Sequence, residues 1–137
     1  MSYHSLITVV DDDTSVRESL QGLIRSVGFA VEVFASAEEF LNSERLRDTH
    51  CLILDVRMPG MSGLELQRQM RADHSDIPII FITAHGDEAA RSQALKSGAV
   101  DYLFKPFSEE ALLGAIDLAI NGRFRASGNK RTSEYQE

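Results

Sequence analysis

The sequence is poor in the residues from which several classes of small protein build their sites. Cys51 is the only cysteine among 137 residues, which excludes an intramolecular disulfide and a cysteine-rich zinc site. The N-terminus Met1–His4 lacks the basic stretch and apolar core of a signal peptide, and no apolar run approaches the roughly 20 residues that span a bilayer. We therefore expect a cytoplasmic protein with no membrane partner.

Clustered positive charge is also scarce. Residues 1–120 carry ten Lys or Arg and nineteen Asp or Glu, within a formal net charge of −7 for the whole chain. Binding to a nucleic-acid duplex needs clustered Lys and Arg, because these side chains displace counterions from the phosphates. We expect no direct nucleic-acid binding by the folded part.

The length fits one domain with a real hydrophobic core. After Asn121 only three residues are apolar, which is too few to order a segment by itself. We predict a folded domain over residues 1–121. Residues 122–137 are predicted to form a flexible tail or the start of a linker to an output domain.

Short apolar runs alternate with amphipathic stretches, which is the pattern of repeated βα units with a mostly parallel sheet. The pattern predicts strands near residues 5–10, 30–34, 50–55, 78–83 and 101–104. It predicts helices near residues 14–27, 37–43, 62–72, 87–97 and 108–121. Three helix starts match the spacing of a capping box: Ser15 with Glu18, Ser36 with Glu39, and Ser62 with Glu65.

The strands also indicate their places in the sheet. The apolar runs near 51–54 and 79–82 do not alternate with polar residues, as expected for strands covered on both faces. Glu32 lies between apolar neighbours in the second strand, which is typical of an edge strand. We predict an α/β fold with a doubly wound, five-stranded parallel sheet. The flavodoxin-like strand order 2-1-3-4-5 is adopted by analogy with known folds of this type.

Four of the predicted strands end on residues that suit phosphoryl chemistry. These residues are Asp11-Asp12-Asp13, Asp55, Thr83 and Lys105-Pro106. Because the carboxyl ends of parallel strands share one edge of a sheet, we expect these groups to converge. A carboxylate can act as a nucleophile toward a phosphoryl group, while a hydroxyl and an ammonium can stabilise charge on its oxygens.

The three adjacent aspartates allow two interpretations. A single Asp is enough to cap the first helix. Adjacent carboxylates repel one another and are tolerated mainly where a cation or solvent screens them, which favours a hard ion such as Mg²⁺. On this turn alone the two interpretations carry equal weight.

Together these stretches resemble the receiver domain of a bacterial two-component response regulator. The resemblance covers residues 5–121 and is carried by Val9–Asp13, Leu54–Gly63, Ile82–Ala84 and Gly98–Phe107. The stretch Ser36–Leu41 further resembles the FixJ-type subgroup, whose receivers precede a helix-turn-helix module.

The resemblance implies a phosphoryl acceptor and a metal site. Asp55 would be the acceptor for a sensor histidine kinase and would share Mg²⁺ with its neighbours. Asp12 would be a direct ligand, Asp11 would bind the ion through water, and the backbone carbonyl of Arg57 would supply a further ligand.

The resemblance also implies a switch. Thr83 would bind a phosphoryl oxygen, and Lys105 would bridge to the phosphoryl group. Tyr102 would be the aromatic switch residue, turning inward on phosphorylation. The Lys105–Pro106 bond is expected to be cis.

A homodimer formed on phosphorylation is a further prediction. The face made by the helix near 87–97, the last strand and the final helix offers Phe104 beside charges of both signs: Arg91, Lys96, Asp101 and Asp117. The alternative, in which Phe104 is buried and the charges are merely solvated, carries equal weight.

Other functions fit the residues less well. A phosphatase of the haloacid dehalogenase type also uses a strand-end aspartate, but by resemblance it needs a second Asp where this chain has Arg57. A flavodoxin or dinucleotide-binding domain needs a phosphate loop where this chain has three aspartates. We expect a signalling module and not an ordinary enzyme. It would belong to a longer transcription factor or act alone through protein contacts.

Overall fold

The strands that the structure describes form one parallel sheet. A computed structural model describes residues 5–84 and 87–128. The strands are β1 (Leu6–Val10), β2 (Ala30–Phe34), β3 (Thr49–Asp55), β4 (Ile79–Thr83) and β5 (Asp101–Phe104). Their order is β2-β1-β3-β4-β5, with parallel pairing throughout. The predicted fold class and strand order are confirmed.

Within the described ranges, six helices connect and cover these strands. They are α1 (Thr14–Ser26), α2 (Ala37–Leu41), α3 (Arg45–Asp48), α4 (Gly63–Ala72), α5 (Glu88–Lys96) and α6 (Glu109–Gly128). No helix in the described ranges is long and apolar enough to cross a bilayer.

An apolar cluster lies on each face of the sheet. Successive strand residues point to opposite faces, so Ile53 of β3 joins the cluster packed by α1 and α6, whereas Leu54 joins the cluster packed by α2 and α4. Both side chains are fully buried. β3 and β4 are therefore interior strands, and β2 with its Glu32 lies at an edge, as predicted.

Asp13, and not Ser15, caps the first helix. The Asp13 side chain accepts hydrogen bonds from the backbone N–H groups of Ser15, at 2.8 Å, and Val16, at 3.4 Å. The capping box predicted from Ser15 and Glu18 is therefore wrong, because the aspartate two residues earlier already binds the free N–H groups. Ser36 and Ser62 cap their helices as predicted.

Two helical segments differ from the prediction. The short helix α3 was not predicted, because four residues are too few to show a helical period. At its start, Ser43 Oγ accepts a hydrogen bond from the Arg45 N–H. At its end, Thr49 Oγ1 donates to the Arg45 carbonyl. Helix α6 continues to Gly128, past the predicted end near residue 121. The predicted tail reaches into residues 129–137, which lie outside the described ranges, so the domain boundary stays a prediction.

Candidate functional site

The polar residues at the strand ends meet at one edge of the sheet. Ligand oxygens of Asp11, Asp12 and Asp55 all lie within 4.8 Å of one another. Asp11 and Asp55 are buried and Asp12 is exposed, so the cluster opens to solvent on one side. Lys105, directly after β5, reaches the same cluster.

The three aspartates of the triplet Asp11–Asp13 take different positions in the structure. Asp13 turns away to cap α1, whereas Asp11 and Asp12 lie with Asp55. Their carboxylate oxygens are the ligands that hard divalent cations such as Mg²⁺ prefer. The donor set at this edge therefore fits such an ion.

Asp11 is held from three directions. The Lys105 Nζ donates to its Oδ2 at 2.9 Å, and the Asp13 N–H donates to its Oδ1 at 2.9 Å. Arg17 Nη1 donates to the Asp11 backbone carbonyl at 2.7 Å. Sequence reasoning missed this contact of Arg17; the available signal was a basic residue one helical turn after the triplet.

Asp55 lies where ionisation is unfavourable. Burial, followed by the negative charge of Asp11, raises its pKa to about 7, although Lys105 and a backbone hydrogen bond from Arg57 act in the opposite direction. Asp12 adds a smaller upward effect. A divalent cation at this cluster would offset the repulsion, which is a property expected of a site built for a ligand.

Lys105 pairs more closely with Asp11 than with Asp55. Its Nζ lies 2.9 Å from Asp11 Oδ2 and 3.9 Å from Asp55 Oδ1. The backbone N–H of Lys105 donates to the backbone carbonyl of Thr83 at 2.7 Å, which places the lysine beside the end of β4. The predicted cis bond between Lys105 and Pro106 is present.

Lys105→Ala is expected to raise the pKa of Asp55 above 7 in the metal-free protein. The ammonium lowers that pKa, and its removal leaves two buried carboxylates facing each other. We expect a loss of about 1–3 kcal/mol in the free energy of unfolding at pH 8. A carboxyl-carbon NMR titration measures the pKa; Lys96→Ala, at an exposed lysine of α5, is the matched control. An unchanged titration of Asp55 would contradict the electrostatic role.

Thr83 and Tyr102 lie on the neighbouring strands. Thr83 is fully buried at the end of β4, paired in register with Phe104. Tyr102 is 4% exposed, and its ring lies 6.0 Å from that of Phe81 and 5.5 Å from that of Phe104. The Tyr102 hydroxyl is buried without a hydrogen-bond partner among the described residues.

Tyr102 already points inward in this structure. The sequence had led us to expect this position only after phosphorylation. Ala94, the one fully buried residue of α5 in the described ranges, belongs to the same apolar cluster as Tyr102, and Ala90 and Leu95 pack against that cluster. A switch at this position therefore does not require the ring to enter from solvent.

Fold and site together define a doubly wound α/β protein with a carboxylate cluster and a lysine at the carboxyl edge of its sheet. The chain belongs to the family of response regulator receiver domains, whose model matches residues 7–117. Receiver domains are signalling modules of two-component systems and are not enzymes in the ordinary sense.

Named relatives support this membership. The response regulator protein TodT of Pseudomonas putida is 50% identical over 134 residues, covering 97% of this chain and 59% of TodT. The transcriptional regulatory protein FixJ of Bradyrhizobium diazoefficiens is 44% identical over 114 residues, covering 83% of this chain and 56% of FixJ. The FixJ-type subgroup predicted from Ser36–Leu41 is supported by such relatives.

Comparison with solved structures leads to the same family. The response regulator StyR superposes with a TM-score of 0.82 at 49% identity, covering 97% of this chain and 67% of StyR. This chain thus spans little more than half the length of the curated relatives that it matches.

Proposed function

We propose that this domain accepts a phosphoryl group on Asp55 from a sensor histidine kinase, with Mg²⁺ as cofactor. The observation that carries the proposal is the cluster of Asp11, Asp12 and Asp55 with Lys105 in ion-pair range. Asp55 is the last residue of β3, the central strand of the sheet, and both Asp11 and Lys105 act on its charge. The site offers a nucleophile, a metal cradle and a cation together.

The transfer would proceed by attack of an Asp55 carboxylate oxygen on phosphorus. The new bond is P–O, the P–N bond of the phosphohistidine breaks, and the imidazole leaves with the electron pair. Mg²⁺, when bound, supplies positive charge for the phosphoryl oxygens. Asp12 would hold it directly and Asp11 through water, with Asp55 and the backbone carbonyl of Arg57 as further ligands.

Lys105 and Thr83 would receive the phosphoryl group. The Lys105 ammonium is already within ion-pair reach of Asp55, and exchanges part of its contact with Asp11 for a phosphoryl oxygen. Thr83 lies at the end of the adjacent strand, where its hydroxyl can approach a second oxygen. Lys105 is the group whose distance to Asp55, 3.9 Å, supports this role directly.

Incubation with acetyl phosphate tests the proposal without a kinase. We expect wild-type protein to gain the mass of one phosphoryl group in the presence of Mg²⁺ and to gain none in EDTA. Beryllofluoride should bind under the same Mg²⁺ requirement. Equal modification of wild type and Asp55→Asn would contradict the assignment of the acceptor.

The output is proposed from the relatives. FixJ is a transcriptional regulatory protein and is nearly twice as long as its match to this chain, so we assign this domain to a longer cytoplasmic transcription factor. The sequence encoded after Glu137 tests this directly. A stop codon there would favour the other candidate, a single-domain receiver that acts through protein contacts.

The α5–β5–α6 face is proposed to pair two phosphorylated domains. Phe104 is 41% exposed on this face, which supports its use as an apolar contact. Arg91 is half-buried and paired with Glu88 at 3.1 Å, so a partner would find both an apolar centre and charges around it. Thr83 ends β4, which lies between β3 and β5, and Tyr102 belongs to β5, so these two residues would transmit the change.

Sedimentation of the beryllofluoride-activated protein tests the dimer. We expect a dimer with Mg²⁺ and a monomer without it. Phe104→Ala should weaken the dimer about tenfold or more, as for a central apolar anchor. Val27→Ala, at a similarly exposed apolar residue (46%) just past the end of α1, should not. An activated wild type that stays monomeric at high micromolar concentration would contradict the dimer.

A further inference from the structure

Two adjacent glutamates of α2 bind different backbone groups. Glu39 Oε1 accepts from the N–H of Ala35 at 3.2 Å, so its contact stays at the start of its own helix, at the residue before the N-cap. Glu38 Oε2 accepts from the Met61 N–H at 2.9 Å, 23 residues further along the chain. Met61 lies in the loop that joins Asp55 to helix α4.

The loop backbone is shaped for this contact. Gly60 has a φ of +76°, in the left-handed region that favours glycine. A Cβ added to Gly60 would lie 2.7 Å from Glu38 Oε2. The carboxylate therefore approaches the Gly60–Met61 peptide closely because residue 60 has no side chain.

Helix α2 provides a fixed base for Glu38. Ala37 and Phe40, on either side of it, are fully buried. They belong to the same apolar cluster as Val56 and Met58, the buried residues with which the loop begins. Helix α2 and the start of the loop are thus packed together, and the Glu38 carboxylate spans from this base to Met61, near the end of the loop.

The two ends of the loop are held by other contacts. The Gly63 N–H donates to the Val56 carbonyl at 2.9 Å, and Ser62 and Glu65 form the capping box of α4. The Glu38 contact adds a fixed point between these ends. Arg57, whose carbonyl is a proposed metal ligand, lies in the same short loop.

We propose that Glu38 is a positioning residue for the metal and phosphoryl site, an inference that rests on the proposed function. By holding the Met61 N–H it keeps the loop after Asp55 in one conformation, so less ordering is needed when Mg²⁺ binds. Glu38 touches neither the ion nor the phosphoryl group. Its effect passes through the loop backbone.

The matched comparison is Glu38→Ala against Glu39→Ala, which remove the same charge from adjacent positions. For Glu38→Ala we expect the Kd for Mg²⁺ to rise about three- to tenfold, at or below the range known for residues that support metal ligands. Amide hydrogen exchange at Met61 should accelerate in this variant alone. Glu39→Ala should leave both quantities near the wild-type values.

Glu38→Gln gives a graded test. It keeps an oxygen acceptor without charge, so its Kd for Mg²⁺ should fall between those of wild type and Glu38→Ala. Phosphorylation by acetyl phosphate should slow in Glu38→Ala at limiting Mg²⁺ and recover at saturating Mg²⁺. If Glu38→Ala does not fold, Glu38→Gln carries the comparison with Glu39→Gln.

The outcomes separate this inference from the proposed function. Equal Kd values and equal Met61 exchange rates in the Glu38 and Glu39 variants would overturn the positioning role while phosphorylation of the wild type stands. A wild type that neither binds Mg²⁺ nor accepts a phosphoryl group would overturn the proposed function itself. Mg²⁺ titration by NMR and intact-mass analysis supply the two readouts.

Discussion

Asp55→Asn is expected to raise the free energy of unfolding of the metal-free protein at pH 8 while abolishing phosphoryl acceptance. The pKa of Asp55 is raised from 3.8 to about 7 by burial and by the charge of Asp11. Each pKa unit corresponds to about 1.4 kcal/mol, so ionised Asp55 lowers stability by about 2–4 kcal/mol after allowance for screening. An asparagine removes that charge in nearly the same shape.

The pH dependence has a definite sign. Between pH 4 and pH 7 the folded protein keeps a proton on Asp55 that the unfolded chain has lost. The stability due to this proton is fully present below the unfolded pKa and is lost as pH rises through about 7. The advantage of Asp55→Asn should therefore be largest at pH 8 and shrink by more than half at pH 5.

Thermal melting in EDTA measures this difference. We expect the midpoint of Asp55→Asn to exceed that of wild type by roughly 10 °C at pH 8. Saturating Mg²⁺ should raise the midpoint of wild type much more than that of the variant, because the variant lacks one of the three clustered carboxylates. If the variant were less stable than wild type at pH 8 in EDTA, ionisation of Asp55 would not lower the stability of the folded protein.

The fold was predictable because its signals are local and repeated. The unbroken apolar runs of β3 and β4 indicate strands covered on both faces, and the structure buries every residue from Cys51 to Asp55. The convergence of Asp11, Asp12 and Asp55 follows from parallel strands that share an edge. The strand order that makes β1 and β3 neighbours was adopted by analogy, because local signals do not contain it.

Contacts that depend on packing were not predictable. Glu38 and Glu39 are equivalent as far as the sequence shows. In the structure, Glu39 binds Ala35 at the start of its own helix and Glu38 binds Met61. The distance from Glu38 to Met61 is set by how α2 packs on the loop. The preference of Lys105 for Asp11 over Asp55 amounts to a difference of 1 Å. Such differences leave no periodic signal.

Gly63→Ala is expected to destabilise the protein although alanine favours helices. Gly63 is the first residue of α4, and a Cβ there would lie 2.3 Å from the Asp55 carbonyl oxygen and 3.1 Å from the Val56 Cα. Both neighbours are backbone atoms of the segment that carries the proposed phosphoryl acceptor, so neither can move away by a side-chain rotation. We expect a loss of about 2–4 kcal/mol, typical of overpacking and backbone displacement.

The same clash should damage the site. Displacement of the Asp55 carbonyl moves its carboxylate away from Asp11 and Asp12, so the Kd for Mg²⁺ should rise and acetyl phosphate should modify Gly63→Ala slowly even below its melting temperature. Gly114→Ala is the matched control, because nothing lies within 4 Å of a Cβ at that exposed position of α6. The control should be neutral or gain up to about 1 kcal/mol from helix propensity. Equal stability and equal Mg²⁺ affinity in the two variants would mean that the backbone after Asp55 can yield, and that the close approach of α4 does not fix the acceptor.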